Sequence, residues 1–363
     1  MLAASMPIFR RSVEDGGSIN YELPSWSLWV LLIDLIIFVP LLFFAEYTVG
    51  TVYPIYSMVE DENPPAYAAL SAADDEEEHT GTVTHDAAAA RPTGGAPRTV
   101  TSSLRAVTRL LYAVAGVPGF FRGILFQLIQ YVMTVILVEI FTQALGLYFT
   151  PLATLLASLT LVQFSAAWVH IVLTHPVPGV SHFRRLPPFQ RAFDATWRPV
   201  LLNWLALEVV RWVPTVLFEI LDVHLPEYKD GGRTDVSDVT GADLAKLVAI
   251  AVASAFAGIA LVIPTHVILV RVQASLLPVE DDAIIPFDRS FQGKVEPAVA
   301  GGRGYATVVE AWTTFSRAGW RRLITLYIKA FLVTLGVYAL IVAVAIPEFL
   351  LMVQKTGDNG DEL

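Results

Sequence analysis

Apolar residues in this chain gather in runs, separated by polar stretches of very unequal length. Six runs approach or exceed the roughly 20 residues that cross a bilayer as a helix. They cover about 26–46, 123–147, 151–173, 199–221, 244–270 and 323–345. Most are apolar all round rather than on one stripe, which is the pattern of a helix surrounded by lipid. The expected fold is therefore all-α: a polytopic integral membrane protein with about six transmembrane helices.

Ahead of three runs the pattern becomes one-sided. Leu104, Val107, Leu111 and Val114 recur at helical spacing, with Arg105 and Arg109 off the stripe. Phe189, Phe193 and Trp197 lie at i, i+4 and i+8 after Pro187-Pro188. In VVEAWTTFSRAGWRRLITLYIK, Val308, Trp312 and Phe315 share a face while Glu310, Thr314 and Arg317 fall elsewhere. Each stretch predicts a helix lying along the membrane surface before the chain turns inward. Each also ends in an aromatic–arginine pair: Phe121-Arg122, Trp197-Arg198 and Trp320-Arg321. These residues, with Trp312, are candidate interfacial anchors. Two readings stay open. The chain is three parallel helix–amphipathic loop–helix units, as in many transporters, or interfacial chemistry alone placed the pairs there.

This pattern divides the chain. Residues 1–25 form a polar N-terminal segment and 26–46 the first transmembrane helix. Residues 47–100 form an acidic loop with DDEEEHTG, a run of alanines and RPTGGAP, a composition that predicts disorder. Residues 101–353 form the membrane domain, with surface helices and transmembrane helices two to six; 354–363 form a polar acidic tail. The N-terminus lacks the continuous apolar core of a cleaved signal peptide, so the first membrane helix is expected to act as the insertion signal.

Composition sharpens this picture. Charged residues make up 16% and hydrophobic residues 55%, where a soluble domain is about 25% charged. The net charge of −10 lies in loops and tail, which argues against nucleic acid as a partner. The expected partners are the lipid bilayer and, within it, another membrane protein or a second copy of the chain. With six spans, the loops 47–122, 175–198 and 271–322 share one side and hold 16 of the 24 lysines and arginines; the other connections and termini hold 6. The positive-inside rule then puts the three long loops in the cytoplasm and both termini in a lumen or outside.

The chain has no cysteine. That excludes disulfides, thiolate catalysis, cysteine-ligated zinc and S-palmitoylation. H-x-x-x-x-D, G-x-S-x-G, P-loop and H-E-x-x-H patterns are all missing. No catalytic residue, cofactor or metal site is expected. His79 and His85 fall in the acidic loop, and His170, His175 and His182 share no helical face, so neither group reads as a metal site. Ionisable residues inside spans are the functional candidates, because burying them in lipid is costly. They are Asp34, Glu139, His170, Glu208, Arg211, Glu219, His266 and Lys329. Asp34 and Glu139 lie deepest, and Glu208 and Arg211 are i, i+3 on one helix. Structural pairing and a polar pathway through Asp34, Glu139, Glu208 and Arg211 are the competing readings.

PFDRSF (Pro286 to Phe291), EAWTTF (Glu310 to Phe315) and WRRLITLYIK (Trp320 to Lys329) together resemble a family of fungal multi-pass membrane proteins of unassigned function. Some of them bear the label "ubiquitin carrier protein". The resemblance implies a multi-pass membrane fold and carries over no catalytic residue. Ubiquitin thioester chemistry needs a cysteine, which is absent here.

Two functions are expected. One is a non-enzymatic adaptor or bilayer-organising protein; the other is a small-molecule or ion transporter using the intramembrane charges. A lipid-modifying enzyme is a weaker third, for want of a catalytic constellation. The tail Gly360-Asp361-Glu362-Leu363 resembles the KDEL class of endoplasmic-reticulum retrieval signals, with Gly where Lys or His is usual. It also reads as a plain acidic tail. If it is a retrieval signal, removing Leu363 shifts a tagged protein out of the endoplasmic reticulum under the microscope; an unchanged distribution rejects that reading.

Overall fold

The structure is a computed structural model that describes residues 21–22, 26–61, 99–176, 186–223, 228–229, 233–234, 241–278, 280–296, 300–352 and 354–355. The chain divides into two compact units, 1–46 with 330–363, and 47–329. The protein is all-α and membrane-spanning. Ser27–Val59, Val117–Leu145, Phe189–Leu221, Gly241–Ser275 and Arg317–Met352 are each long and apolar enough to cross. Leu147–Thr160 and Val162–Leu173 meet the same test only as a pair, bent by 58°, which brings the number to six if the pair is one span. Large apolar side chains stand exposed along these helices, among them Trp29, Ile36, Tyr131, Trp212, Phe256 and Phe331. In lipid such surfaces are solvated rather than sticky.

In the first unit, α1 (Ser27–Phe43) leads from a two-residue strand, β1 (Tyr21–Glu22), which pairs antiparallel with Gln354–Lys355 near the other end of the chain. The second unit holds the rest of the architecture. It contains α2 (Tyr53–Val59), α3 (Leu104–Ala115), α4 (Ile124–Leu145), α5 (Thr150–Thr160) and α6 (Val162–Leu173). It continues with α7 (Phe189–Leu221), α8 (Gly241–Ala257), α9 (Ile263–Ser275) and α10 (Val308–Thr313), and includes the start of α11 (Arg317–Met352).

Four elements depart from the sequence reading. The first span does not give way to a disordered loop at residue 47. A π-helical stretch, Phe44–Val52, carries the helix on into α2, where every residue is buried. YPIYSMV is too short to read as a span, but its tyrosines find partners. The Tyr53 hydroxyl lies 2.8 Å from Thr108 Oγ1, and the Tyr56 hydroxyl donates to the Val172 carbonyl at 2.7 Å. The acidic run and the alanines, at 62–98, lie outside the described residues, as do the tail residues 356–363.

The third span is broken. Near the break, the Ser158 and Thr160 hydroxyls donate back to the Thr154 and Leu156 carbonyls, a bond that bends helices. Beyond it, α6 is buried almost throughout, from Ala166 to Leu173, so it forms core rather than lipid-facing surface. The stripe Phe189, Phe193, Trp197 is no separate surface helix, because α7 runs through Pro199 without interruption for 33 residues. At 1.5 Å per residue it is about 50 Å long, well beyond a hydrocarbon core of about 30 Å. Upright in a bilayer, such a helix cannot lie wholly within the lipid. Conversely, the stretch from Val308 to Lys329 is two helices. A capping box between Thr307 and Glu310 starts α10, and the Ser316 hydroxyl accepts the Gly319 N–H at 2.9 Å to start α11.

The three aromatic–arginine pairs also differ locally. Gly123, at φ +77°, turns the chain after Phe121-Arg122. Its α-carbon packs against Trp168 and Tyr47 so closely that a Cβ would stand 3.2 Å from both. Trp197-Arg198 sits within a continuous helix, and Trp320-Arg321 in the first turn of another.

The three long loops nevertheless come together at one end of the second unit. The Asp61 N–H donates to the Pro286 carbonyl at 2.8 Å, Ile284 N–H to Leu173 at 2.8 Å, and His175 N–H to Asp282 at 3.1 Å. Arg191 reaches the Gly304 carbonyl at 3.1 Å. The result is a loop cap built from all three. In it α3 lies with Val107 and Leu111 buried and Arg105 and Arg109 exposed, as its stripe requires. Leu111→Ala is expected to cost about 2–5 kcal/mol, the usual range for emptying a packed leucine site. Arg105→Ala should change stability by less than about 0.5 kcal/mol. Denaturant titration in detergent, followed by tryptophan fluorescence, checks both.

Candidate functional site

One cation ties the first and third long loops together within the cap. Arg271 sits in the last turns of α9, only 7% exposed. A buried guanidinium needs its donors satisfied in several directions at once, and three acceptors from two distant segments supply this. Nε donates to the Ala311 carbonyl at 3.0 Å, Nη1 to Met58 at 2.9 Å, and Nη2 to Thr314 Oγ1 at 2.8 Å. Phe291 and Phe315 hold the faces of the ion, with ring centres at 5.0 and 5.3 Å. Cation–π contacts of this kind, out of water, are worth about 2 kcal/mol.

Around Arg271 lies a cavity of about 60 Å³ lined by Glu60, Asp61, Asp288, Thr314, Ser316 and Arg322, among others. Glu60 closes one wall. Its carboxylate accepts the Val100 and Thr101 N–H groups and the Thr101 hydroxyl, and lies 3.6 Å from Arg322 Nε. This anchors the chain on the far side of residues 62–98. Asp288 forms another wall. It accepts the Ser290 N–H at 2.9 Å, the Ser290 hydroxyl at 2.6 Å and the Gln292 N–H at 2.6 Å. That turn holds Phe291 and Gln292 at φ +50° and +60°, a region a bulky residue rarely adopts. The distortion delivers the Phe291 ring, 1% exposed, to Arg271. Burial alone would raise the Asp288 pKa. The Ser290 hydroxyl, the two N–H groups and the Arg271 charge outweigh it and hold the carboxyl below its ordinary value.

PFDRSF and EAWTTF thus meet at Arg271, with Phe291 and Asp288 from one and Ala311, Thr314 and Phe315 from the other. WRRLITLYIK supplies Arg322 to the same cavity. Sequence reasoning missed Arg271 because it counted as one more loop cation. The available signal was an arginine at the polar edge of an otherwise apolar helix.

The intramembrane candidates divide between the two units, Asp34 in the first and Glu139, Glu208 and Arg211 in the second. Asp34 faces Glu348 within the first unit. Glu139 is exposed on α4 and accepts from Gln143 Nε2 at 2.7 Å, one turn along the same helix. Only Glu208 and Arg211 come together, at 3.4 Å. Both line a second cavity, of about 210 Å³, whose other walls include Gln130 and Thr134 of α4, Thr154 and Ser158 of α5, Ser165 of α6 and Asn203 of α7. Charge was the only sequence signal used for intramembrane sites, so these neutral polar residues went unmarked. Among the described residues, no group of three or more His, Cys, Asp or Glu side chains could hold a metal ion.

The anchor residues divide too. Trp197, Arg198, Trp312 and Arg321 are exposed, with Arg198 stacked 5.0 Å over the Trp197 ring. Phe121, Arg122 and Trp320 are half-buried. The Arg122 carbonyl accepts the Tyr47 hydroxyl, and Trp320 packs edge-on against Phe315 and Trp312 at 4.9 and 5.5 Å.

Arg271→Met is expected to destabilise the protein by about 3–5 kcal/mol, the range for breaking a buried charged network at one partner. Arg271→Lys should recover little, because an ammonium lacks the planar fork that reaches three acceptors. Thermal unfolding in detergent reads both. Asp288 has a lowered folded-state pKa, so its contribution is present above the unfolded carboxyl value of about 3.9. It is lost as pH falls through the folded value. Asp288→Asn should therefore melt earlier than the unsubstituted protein at pH 7, and the gap should close in strong acid.

Compared with protein-family models, with curated proteins and with solved structures, the chain matches none.

Proposed function

We propose that this is a non-enzymatic membrane protein that organises the bilayer or recruits a partner to it, with the loop cap as its working surface. One observation carries this reading: hydrogen bonds join the three long loops into one cap, the first and third through Arg271 and the second through His175 and Arg191. Segments that build the cap keep large apolar side chains exposed: Tyr112 on α3, Phe189 and Trp197 on α7, and Trp312 on α10. Aromatic side chains placed at one interface enter that leaflet and not the other. A protein that loads one leaflet favours curved membrane. The charge distribution supports a cytoplasmic cap with both termini in a lumen or outside, and the KDEL-like tail Gly360-Asp361-Glu362-Leu363 supports residence in the endoplasmic reticulum or another endomembrane.

A second reading, passage of a small molecule or ion, is favoured by the polar cavity at Glu208 and Arg211.

Reconstitution into vesicles pulled into narrow tethers tests the first reading. The expected result is enrichment on the tether over the flat membrane, reduced by the triple change Phe189→Ser, Trp197→Ser and Trp312→Ser. Equal partitioning of the unsubstituted protein contradicts bilayer organisation.

A further inference from the structure

The cavity between α4, α5 and α7 lies at membrane depth. Glu208 is ten residues beyond the interfacial Arg198 on the same continuous helix, about 15 Å by helical rise. That is near the middle of a hydrocarbon core of about 30 Å. Glu208 is 7% exposed. One carboxylate oxygen lies 3.4 Å from Arg211; the other, Oε2, is buried without a hydrogen-bond partner. Gln130 Oε1, on the facing wall, is buried and unpartnered as well. Orphan acceptors of this kind are costly in a low-dielectric site.

The surrounding hydroxyls do not relieve them. Thr134, Thr154 and Ser158 each donate to a backbone carbonyl three or four residues back, at 2.7–2.8 Å. Ser165 accepts from Gln273 Nε2 at 2.8 Å, and Trp204 Nε1 donates to Pro151 and Thr154. With their protons turned to the backbone, Thr134, Thr154 and Ser158 have none to offer the two orphaned oxygens. The two orphaned oxygens therefore call for a ligand that brings donors, and the carboxylate for a cationic one. Arg211, whose side chain is 58% exposed, offers the opposite charge one helical turn along.

We infer that this cavity binds a primary ammonium group, with Glu208 Oε2 and Gln130 Oε1 as acceptors and Arg211 facing an anionic substituent of the same ligand. The site goes beyond the role of the cap and does not depend on it. A phosphoethanolamine group has this chemistry, either as a free zwitterion or as the headgroup of an aminophospholipid.

Phosphocholine is the discriminating control. It keeps the charges but replaces the three N–H donors by methyl groups. Full-length protein in neutral detergent should bind O-phosphoethanolamine about tenfold or more tightly than phosphocholine by calorimetry, the margin expected for hydrogen bonds to a charged group. In mixed nanodiscs it should retain phosphatidylethanolamine over phosphatidylcholine by native mass spectrometry. Preference in the soluble arm identifies a free amine; preference in the nanodisc arm alone identifies the lipid. Glu208→Gln should abolish the preference. Absence of a headgroup preference in both arms overturns the inference, and this rests on the unsubstituted protein alone. A preference unchanged in a folded Glu208→Gln protein overturns it equally.

Discussion

A guanidinium taken out of water must be met on every side, and Arg271 is met by chain segments far apart in sequence. Met58 belongs to the helix that leads from the first span, and Ala311 and Thr314 to the last surface helix and the residue that ends it. None of these acceptors can be withdrawn without leaving charge unsolvated. The cation therefore does what apolar packing alone would do poorly. It fixes the first long loop against the third, and the second joins them through His175 and Arg191. The distorted turn at Phe291 and Gln292 fits this view, since its conformational cost is offset where the ring covers Arg271.

The membrane imposes a second constraint on polar groups. A carboxylate in lipid needs a partner on its own helix, a neighbour, or a polar cavity. Glu139 takes the first course with Gln143, and Asp34 the second opposite Glu348. Glu208 takes the third but uses only one of its oxygens. Its orphaned oxygen belongs to a residue that lines a polar cavity beside a cation. Cap and cavity are thus different solutions to the same desolvation problem, one closed among the groups described and one left open.

Much of the architecture was legible in the pattern of apolar residues. The lengths of the runs marked the spans, because bilayer thickness sets them directly. The stripe at Leu104, Val107 and Leu111 marked a surface helix with its arginines outward. What failed to show was set by tertiary partners. Tyr53–Val59 is too short to signal a span, and its helix depends on Thr108 and on the Val172 carbonyl. The bend in the third span follows Ser158 and Thr160, whose hydroxyls donate to their own helix. The separation of α10 from α11 turns on Ser316, a capping residue inside a stretch whose periodicity looks continuous. The candidate sites were less legible still. Arg271 resembled any loop cation, and the wall of the intramembrane cavity is mostly neutral side chains from distant helices.

The central claim is that the three long loops form one cap on one face of the membrane. A chain without cysteine allows a direct test with single introduced thiols. Ser102→Cys, Gln190→Cys and Lys294→Cys each place an exposed thiol in a different loop, and Tyr148→Cys places one at the far end of α4. In sealed, oriented vesicles, a membrane-impermeant maleimide should label the first three from one side and Tyr148→Cys only from the other. Labelling of any of the three loops from the side that reaches Tyr148→Cys would contradict the cap.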